Sequence, residues 1–254
     1  MGAYTIQKAN WELENAVKAY LYKDENGNYV MRERDRLPLY LQGAPGVGKT
    51  QIVLEVAGNL GIGFVSFSLA HHTRNTVLGL PVIDGINGTD QEKCTRYTMS
   101  ELLAAVYEEV KKGHKEGIIL LDEFPSCAES IMPIMLQFLQ TKNIGRYALP
   151  TGWVIVVCGN PPKYNKSARR FDAAILDRLR LIDIGVSSRD FLKYAKERGV
   201  HPHVIRYLEL YPDNCFRYGQ SEERSELITA RGWENLSETM KVYENLELKS
   251  LTKS

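Results

Sequence analysis

The segment Gly43–Thr50, with the sequence GAPGVGKT, constrains the fold of this chain more than any other feature. It follows the apolar run Leu37–Gln42 and precedes a stretch in which apolar residues recur at helical spacing. A strand that leads through a glycine-rich turn into a helix is the context in which Gly-x-x-x-x-Gly-Lys-[Ser/Thr] forms a P-loop. The segment therefore predicts that the chain binds a nucleoside triphosphate.

Each residue type in this loop has a physical role in binding a polyphosphate. Glycine has no Cβ, so the backbone can wrap the phosphates with its N–H groups pointing inward, and the N-terminus of the following helix favours an anion. Lys49 would reach the terminal phosphates, and the hydroxyl of Thr50 would bind Mg²⁺. We expect eight residues to contact the nucleotide: Gly43, Ala44, Pro45, Gly46, Val47, Gly48, Lys49 and Thr50.

Short apolar runs alternate with helical patterns over residues 1–186, which predicts an α/β fold with a parallel sheet and right-handed crossovers. Apolar residues recur at three- and four-residue steps from Ile6 to Leu21, so the N-terminus reads as an amphipathic helix. It is expected to close near the turn cluster Asp24–Asn28. Strands are expected at Leu37–Gln42, Phe64–Leu69, Gly117–Asp122, Trp153–Gly159 and Leu181–Ile184. Further helices are expected at Lys49–Asn59, Met99–Lys112, Ser130–Thr141 and Asp172–Arg180.

The strand pattern stops near residue 186, and the rest of the chain has helical spacing only. The helices expected there are Ser188–Arg198, His201–Leu210 and Thr229–Asn245. The sequence therefore predicts two domains, a nucleotide-binding α/β core over residues 1–186 and a small all-α domain over residues 187–254.

The charge composition limits the classes of partner. The 32 Lys and Arg residues against 31 Asp and Glu residues leave a formal net charge of +1. A protein whose main function is to coat nucleic acid or an acidic membrane needs surplus positive charge, so nucleic acid is possible as a partner but not favoured. The longest apolar runs are far shorter than the ~20 residues that span a bilayer, and the four scattered cysteines indicate neither disulfides nor zinc. We expect a cytoplasmic protein with reduced thiols and no membrane segment.

A second chemical signal is the pair Asp122-Glu123 at the end of the apolar run Gly117–Asp122. Adjacent carboxylates at the end of a buried strand are costly unless a cation or a water molecule uses them. The carboxyl edge of an open α/β sheet is also where ligands bind. We expect Asp122 to bind Mg²⁺ together with Thr50, and Glu123 to orient and deprotonate the water that attacks the γ-phosphate.

Three classes of P-loop protein can be weighed against these motifs. Small GTPases need Asn-Lys-x-Asp, and the nearest candidate, Asn165–Ala168, lacks the aspartate. Transporter-type ATPases place a Leu-Ser-Gly-Gly-Gln signature upstream of the acidic pair, and Val106–Glu116 contains nothing similar. Small-molecule kinases usually lack the Asp-Glu pair and carry an arginine-rich lid; they remain a weaker alternative.

Two further residues suggest contacts with phosphate. Asn160 follows the apolar run Trp153–Gly159, so its amide would lie beside the strand of Asp122, within reach of the γ-phosphate or the attacking water. Arg231 stands at the start of the last helix. The helix dipole does not favour a cation there, so Arg231 is expected to have an anionic partner such as phosphate.

The order of these motifs resembles that of the AAA+ ATPases. The stretch Tyr147–Trp153 has the sequence YALPTGW and is followed by Gly159–Pro161, with the sequence GNP. These two sequences resemble those of the MoxR-type branch. The resemblance extends from about Leu37 to Leu236. It implies a P-loop NTPase core with a parallel sheet, of AAA+ type, followed by a small all-α lid domain. It also implies ATP and Mg²⁺ as cofactors.

The resemblance implies a role for each motif. Gly43–Thr50 matches the Walker A motif, and Asp122-Glu123 matches the Walker B pair. Asn160 matches sensor 1, and Arg231 matches sensor 2.

The resemblance also implies an arginine finger, which one subunit offers to the nucleotide of its neighbour. Arg178 matches it, at the end of the helical pattern before the last strand. Other arginines nearby leave the assignment open: Arg169, Arg170 and Arg180. Leu78–Pro81 looks like the inserted segment of the MoxR branch.

The resemblance implies a Mg²⁺-dependent ATPase that assembles into a ring, expected to be a hexamer, and that remodels or activates a protein partner in the manner of a chaperone. A von Willebrand A-type protein is the partner that the MoxR branch suggests. Two alternatives stay open, a nucleic-acid motor or loader with the same core, and a P-loop small-molecule kinase.

Overall fold

The computed structural model describes residues 3–85, 93–165, 167–220 and 225–246. The described chain divides into two compact units. The smaller unit contains the described residues up to Ala9, the segment Gly43–Lys49 and those from Asp183 onward; the larger unit contains Asn10–Gln42 and Thr50–Ile182. The predicted domain boundary near residue 186 stays a prediction.

Most of the described helices lie within a few residues of the predicted ones, but the short helix Arg74–Leu78 was not predicted. The described helices are α1 Ile6–Leu21, α2 Lys49–Leu60, α3 Arg74–Leu78, α4 Glu101–Lys111, α5 Met132–Thr141, α6 Ala173–Leu176, α7 Ser188–Glu197, α8 Pro202–Leu210 and α9 Ala230–Asn245. Among the described residues, none of these helices is both long and apolar enough to cross a membrane.

The strands fall into one larger sheet and three hairpins. The described strands are β1 Leu39–Gly43, β2 Gly63–Ser68, β3 Pro81–Gly85, β4 Lys93–Tyr97, β5 Gly117–Asp122, β6 Asn143–Ile144, β7 Tyr147–Ala148, β8 Trp153–Gly159, β9 Arg180–Ile184, β10 Arg217–Gln220 and β11 Ser225–Ile228. The hairpins pair β3 with β4, β6 with β7 and β10 with β11.

Five of the described strands form a sheet in the order β2-β5-β8-β1-β9. The pairs β2–β5, β5–β8 and β8–β1 are parallel. The central strands β5 and β8 are buried over almost their whole length, because helices cover both faces of a parallel sheet. The predicted α/β fold with a parallel sheet is confirmed.

The register brings the carboxyl ends of three neighbouring strands side by side in the larger unit. Ser68 at the end of β2 lies opposite Asp122 at the end of β5. Leu121 of β5 lies opposite Val157 of β8. Polar residues that come at or just after these strand ends therefore lie along one edge of the sheet.

The helices that follow the strands bury their apolar faces in the core of the larger unit. Helix α4 contributes Leu102, Leu103 and Val106, all fully buried. Its N-cap is Ser100, whose hydroxyl accepts a hydrogen bond from the backbone N–H of Leu103, an arrangement that satisfies one of the open donors at a helix start.

The smaller unit contains helices α7, α8 and α9 around a separate apolar cluster that includes Phe191, Ala195 and Leu208. The prediction that the C-terminal region is all-helical is wrong for residues 217–220 and 225–228, where β10 and β11 pair in antiparallel orientation. Each strand has only four residues, too few for an alternating apolar pattern to be visible in the sequence.

The helix predicted over Asp172–Arg180 is also shorter than expected. Helix α6 contains four residues, with Asp172 as its N-cap. Arg178 lies in the turn that follows, and Arg180 is the first residue of β9, with its backbone N–H bonded to the carbonyl of Pro38 at 2.9 Å. Pairing of β9 with the start of β1 takes the chain out of the helix earlier than the apolar spacing indicates.

The segment Leu78–Pro81, which resembles the inserted segment of the MoxR branch, joins α3 to the hairpin β3–β4. Gly79 adopts a φ of 93°, and a Cβ at this position would lie 2.1 Å from the carbonyl oxygen of Thr98. Residues 86–92, which connect β3 to β4, lie outside the described residues, as do Lys166 and residues 247–254.

Candidate functional site

The glycines of the loop Gly43–Thr50 occupy positions that a side chain would disturb. Gly46 and Gly48 have φ angles of 73° and 95°, in the left-handed region that disfavours residues with a Cβ. A Cβ at Gly43 would lie 2.8 Å from the carbonyl oxygen of Ile184. The loop therefore has the backbone geometry that the sequence motif predicts.

Lys49 lies inside this loop rather than on the surface. Its side chain is buried, and its Nζ donates hydrogen bonds to the carbonyl oxygens of Gly43 and Ala44 at 3.0 and 2.8 Å. A buried ammonium group needs such partners, because burial of an uncompensated charge is expensive. The loop thus holds a positive charge where a polyphosphate would need one.

The start of α9 packs against the phosphate loop within the smaller unit. A Cβ at Gly46 would lie 2.7 Å from the Cβ of Thr229, and the hydroxyl of Tyr218 donates to the carbonyl of Pro45 at 3.3 Å. Thr229 is the N-cap of α9 and accepts a hydrogen bond from the N–H of Gly232. Arg231 is the second residue of that helix, so the same packing places its backbone next to the loop.

In the larger unit, the hydroxyl of Thr50 donates to Oδ2 of Asp122 at 2.8 Å. The other carboxylate oxygen of Asp122 accepts the backbone N–H of Glu123. Thr50 follows Lys49 directly in α2. The residue that contacts Asp122 is therefore the next one in the chain after the lysine of the phosphate loop.

The donor set suits Mg²⁺. This ion binds few protein oxygens and takes its remaining ligands from water and substrate phosphates. The hydroxyl of Thr50 and the carboxylate of Asp122, which lie 2.8 Å apart, would be two such protein ligands. Within the described part of the chain, no group of three or more His, Cys, Asp or Glu side chains is arranged to hold a metal without a substrate.

Glu123 stands immediately after β5 in an unusual conformation. Its φ of 55° and ψ of 28° place it in the left-handed region, which is costly for a residue with a Cβ and occurs preferentially at functional sites. Oε2 of Glu123 accepts a hydrogen bond from the hydroxyl of Ser68 at 2.6 Å. The carboxylate is thereby held next to the pair formed by Thr50 and Asp122.

Ser68 is a functional candidate that the sequence did not reveal. It is the last residue of β2 and lies opposite Asp122 in the register. A polar residue at the end of a predicted strand is a weak signal, and its proximity to Glu123 follows only from the strand order β2-β5.

Asn160 follows β8 at the same carboxyl edge. The chain passes so close to the turn after Glu123 that a Cβ at Gly159 would lie 2.2 Å from Cδ of Pro125. The structure therefore brings together Thr50, Asp122 and Glu123 in the larger unit. It places Asn160 just after the end of the neighbouring strand, at the same edge of the sheet.

Arg178 lies at the opposite edge of the sheet. It stands two residues before β9, whose first N–H bonds to Pro38, the residue before β1. A strand of six residues such as β5 covers roughly 17 Å at ~3.3 Å per residue, so this edge is far from Asp122. Arg178 does not join the acidic pair of its own chain.

The other arginines near Arg178 differ in their contacts. Arg180 forms an ion pair with Glu12 of α1, and Arg169 contacts Glu129 at 3.4 Å. Arg170 and Arg178 are both exposed, and neither pairs with a carboxylate in the described part of the chain. The ion pair with Glu12 makes Arg180 the weaker candidate for a contact with a neighbouring molecule.

The model of one protein family matches residues 39–179, more than half of the chain. This family is the ATPase family associated with various cellular activities (AAA). The match begins at the first residue of β1 and contains the phosphate loop, the acidic pair, Asn160 and Arg178. A search of curated proteins found no match. The chain belongs to the AAA family of ATPases.

Proposed function

We propose that this protein hydrolyses ATP with Mg²⁺ as a ring of identical subunits and uses the reaction to remodel a protein partner. The observation that carries the hydrolytic step is the contact between Thr50 and Asp122, beside the carboxylate of Glu123. These groups supply the metal ligands and the base that phosphoryl transfer to water requires.

The proposed mechanism relies on positioning and charge stabilisation. Lys49 and the N–H groups of the loop bind the phosphate tail. The carboxylate of Glu123 accepts a proton from the attacking water, and the hydroxyl of Ser68 orients this carboxylate. The amide of Asn160 helps to orient the same water. Mg²⁺, when bound, neutralises charge on the phosphates.

Ring assembly would bring one further cation to the γ-phosphate. Arg178 is exposed and lies at the sheet edge opposite to its own acidic pair, so we propose that it acts on the nucleotide of a neighbouring subunit. An arginine supplied by another molecule stabilises the charge that develops in the transition state. Activity should therefore depend on assembly.

The proposal of a MoxR-type function is supported by the sequence Tyr147–Trp153, which resembles that branch. The formal net charge of +1 favours a protein partner over nucleic acid, because nucleic-acid binding draws on surplus positive charge. A von Willebrand A-type protein is the partner that the resemblance suggests. Single- or double-stranded DNA should then leave the ATPase rate unchanged at physiological salt.

The replacement Glu123→Gln tests the hydrolytic role. We expect the full-length wild-type chain to release phosphate from ATP in the presence of Mg²⁺, and we expect Glu123→Gln to reduce kcat by at least about 100-fold, the contribution typical of a general base. ATP binding should persist, because the phosphate loop is intact.

Glu129→Gln is the matched control, since the side chain of Glu129 is 87% exposed and contacts Arg169 only weakly. Its rate should equal that of the wild type. Hydrolysis by Glu123→Gln at the wild-type rate would remove Glu123 from the mechanism.

A further inference from the structure

A cavity of about 170 Å³ lies in the larger unit, at the sheet edge opposite to Asp122 and Glu123. Its walls come from three places, the turn before β1, the C-terminal end of α5 and the turn before β9. Of the described side chains that line it, four are basic and one is acidic. These charged residues are Glu33, Arg34, Arg36, Lys142 and Arg178.

Two of the cations are buried. Arg36 and Lys142 are only 6% and 9% exposed. Neither pairs with a carboxylate in the part of the chain that the structure describes, and both donate to backbone carbonyls instead. Arg36 donates to Met31 and Thr151, and Lys142 donates to Glu33. Carbonyls solvate a cation but leave its charge unneutralised.

This arrangement is electrostatically unfavourable without a counter-ion. Burial lowers the pKa of Lys142; the carboxylate of Glu33 partly offsets this effect, and the guanidinium of Arg36 adds to it. Removal of two like charges from water costs several kcal/mol unless an opposite charge compensates them.

The backbone at Lys142 points to the same conclusion. Lys142 ends α5 with a φ of 55°, and Glu123 is the only other non-glycine residue of the described chain with a positive φ. Glycine or asparagine is the usual residue at such a helix end, because a Cβ there costs about 1 kcal/mol or more. Capping alone would be served better by glycine, so the lysine side chain has a use of its own.

The side chains of the other two cations, Arg34 and Arg178, are exposed and can move to contact a ligand. The side chain of Arg34 is 73% exposed and contacts Asp35 at 3.8 Å, while Arg178 is exposed and forms no ion pair among the described residues. Guanidinium groups bind phosphate oxygens in pairs, which makes arginine the usual partner of phosphate.

We propose that this cavity binds a phosphate-type oxyanion through Lys142, Arg34 and Arg178. The buried guanidinium of Arg36, which also lines the cavity, adds positive charge. The volume holds about five water molecules at ~30 Å³ each, enough for one phosphate group with part of its hydration. The bound group belongs either to a free oligophosphate or to a nucleotide on a neighbouring subunit. The second source rests on the proposed ring; the anion site itself does not.

Calorimetric titration with inorganic pyrophosphate tests the site directly. The full chain carries Lys49→Ala, so that the phosphate loop does not contribute, and the titration is made at physiological ionic strength. We expect saturable binding of one pyrophosphate per chain. Arg34→Gln and Lys142→Met should each weaken this binding at least about fivefold, because each removes one charge-assisted contact.

Arg32→Gln is the matched control. Arg32 stands beside the same turn and pairs with Asp35 at 2.6 Å, but it does not line the cavity. Its affinity for pyrophosphate should stay within about twofold of the parent chain, since long-range effects of an exposed charge are screened. Absence of saturable binding, or an equal loss in Arg32→Gln and Arg34→Gln, would overturn the proposal. The exposed position of Arg34 keeps the test decisive even where Lys142→Met fails to fold.

A second measurement distinguishes the two sources. Lys49→Ala subunits are mixed with Arg178→Ala subunits, so that the former supply Arg178 to the nucleotide of the latter. Arg34→Gln, which changes an exposed side chain, is then added to the Lys49→Ala subunits. Loss of their ability to restore hydrolysis indicates that the cavity takes the neighbour's nucleotide, whereas unchanged restoration with lost pyrophosphate binding indicates a free oligophosphate. The direct titration needs no ATPase activity, so it can succeed or fail independently of the proposed function.

Discussion

At the residue scale, Gly46 shows why the phosphate loop tolerates so few side chains. Its φ of 73° alone disfavours any residue with a Cβ. In addition, a Cβ would come within 2.7 Å of Thr229, the N-cap of the helix that carries Arg231. The motif in the sequence predicts the first constraint, but the second follows only from the packing of a segment far along the chain.

Gly46→Ala should therefore weaken ATP binding by at least about tenfold, since backbone strain and a steric clash each cost on the order of 1 kcal/mol or more. Fluorescence titration with a labelled ATP analogue measures this. Gly27→Ala is the control, because Gly27 has a φ of 80° and a Cβ added there would meet no atom within 4 Å. Equal nucleotide affinity in Gly46→Ala and the wild type would show that the loop does not form the binding site.

Ser68 and Glu123 illustrate what one sequence can and cannot reveal about a site. The carboxylate pair Asp122-Glu123 was predictable, because two acids at the end of an apolar strand need a chemical explanation. The hydrogen bond from Ser68 to Glu123 was not, because it depends on which strands are neighbours.

The two arginines near the start of β9 differ in what they contact, and this difference predicts different effects on stability. Arg180→Gln should lower the free energy of unfolding by about 0.5 kcal/mol, a value typical of ion pairs that keep some contact with solvent, because it removes the contact with Glu12. Arg178→Gln should leave stability unchanged, since Arg178 pairs with no carboxylate among the described residues. Urea denaturation measures both. A larger loss in Arg178→Gln than in Arg180→Gln would reverse this assignment of roles.

At the element scale, the helices and strands with clear apolar periodicity were predicted to within a few residues. Strands β5 and β8 have the expected bounds, and helix α1 ends at Leu21, a few residues before the turn cluster where its end was predicted. The elements that were missed are short. The hairpin β10–β11 and the early end of α6 are decided by pairing with other strands and by turns, so the local sequence pattern carries little information about them.

Helix α9 depends on its N-cap, and this dependence links the helix to the phosphate loop. Thr229→Val removes the oxygen that accepts the N–H of Gly232 at 3.2 Å while it keeps the shape of the side chain. We expect a loss of about 1 kcal/mol in the free energy of unfolding and weaker ATP binding, because the start of α9 packs on Gly46.

Thr229→Ser is the matched variant, since it keeps the hydroxyl group. It should retain most of the stability and ATP affinity that Thr229→Val loses. A larger loss in Thr229→Ser than in Thr229→Val would assign the effect to the methyl group and not to the cap.

At the scale of the whole molecule, the proposed catalytic groups of one chain lie far apart. The acidic pair lies at the carboxyl edge of the sheet, and Arg178 lies at the amino edge of the same sheet. Composition and periodicity could not distinguish Arg178 from its neighbours. The ion pairs of Arg169 and Arg180 make these two the weaker candidates, whereas Arg170, like Arg178, is exposed and unpaired within the described residues. A ring of identical chains would bring an Arg178 from one subunit to the acidic pair of the next.

A mixture of two inactive variants shows whether Arg178 of one subunit acts on the nucleotide of another. Lys49→Ala subunits keep Arg178 but lack the loop lysine, and Arg178→Ala subunits keep the nucleotide site but lack the finger. We predict that each alone hydrolyses ATP at a small fraction of the wild-type rate. Mixtures should recover activity with a maximum at intermediate ratios, because each chain supplies what the other lacks. A control mixture, in which the Lys49→Ala chain also carries Arg178→Ala, should show no recovery. Rates that equal the sum of the two separate variants at every ratio would contradict the account.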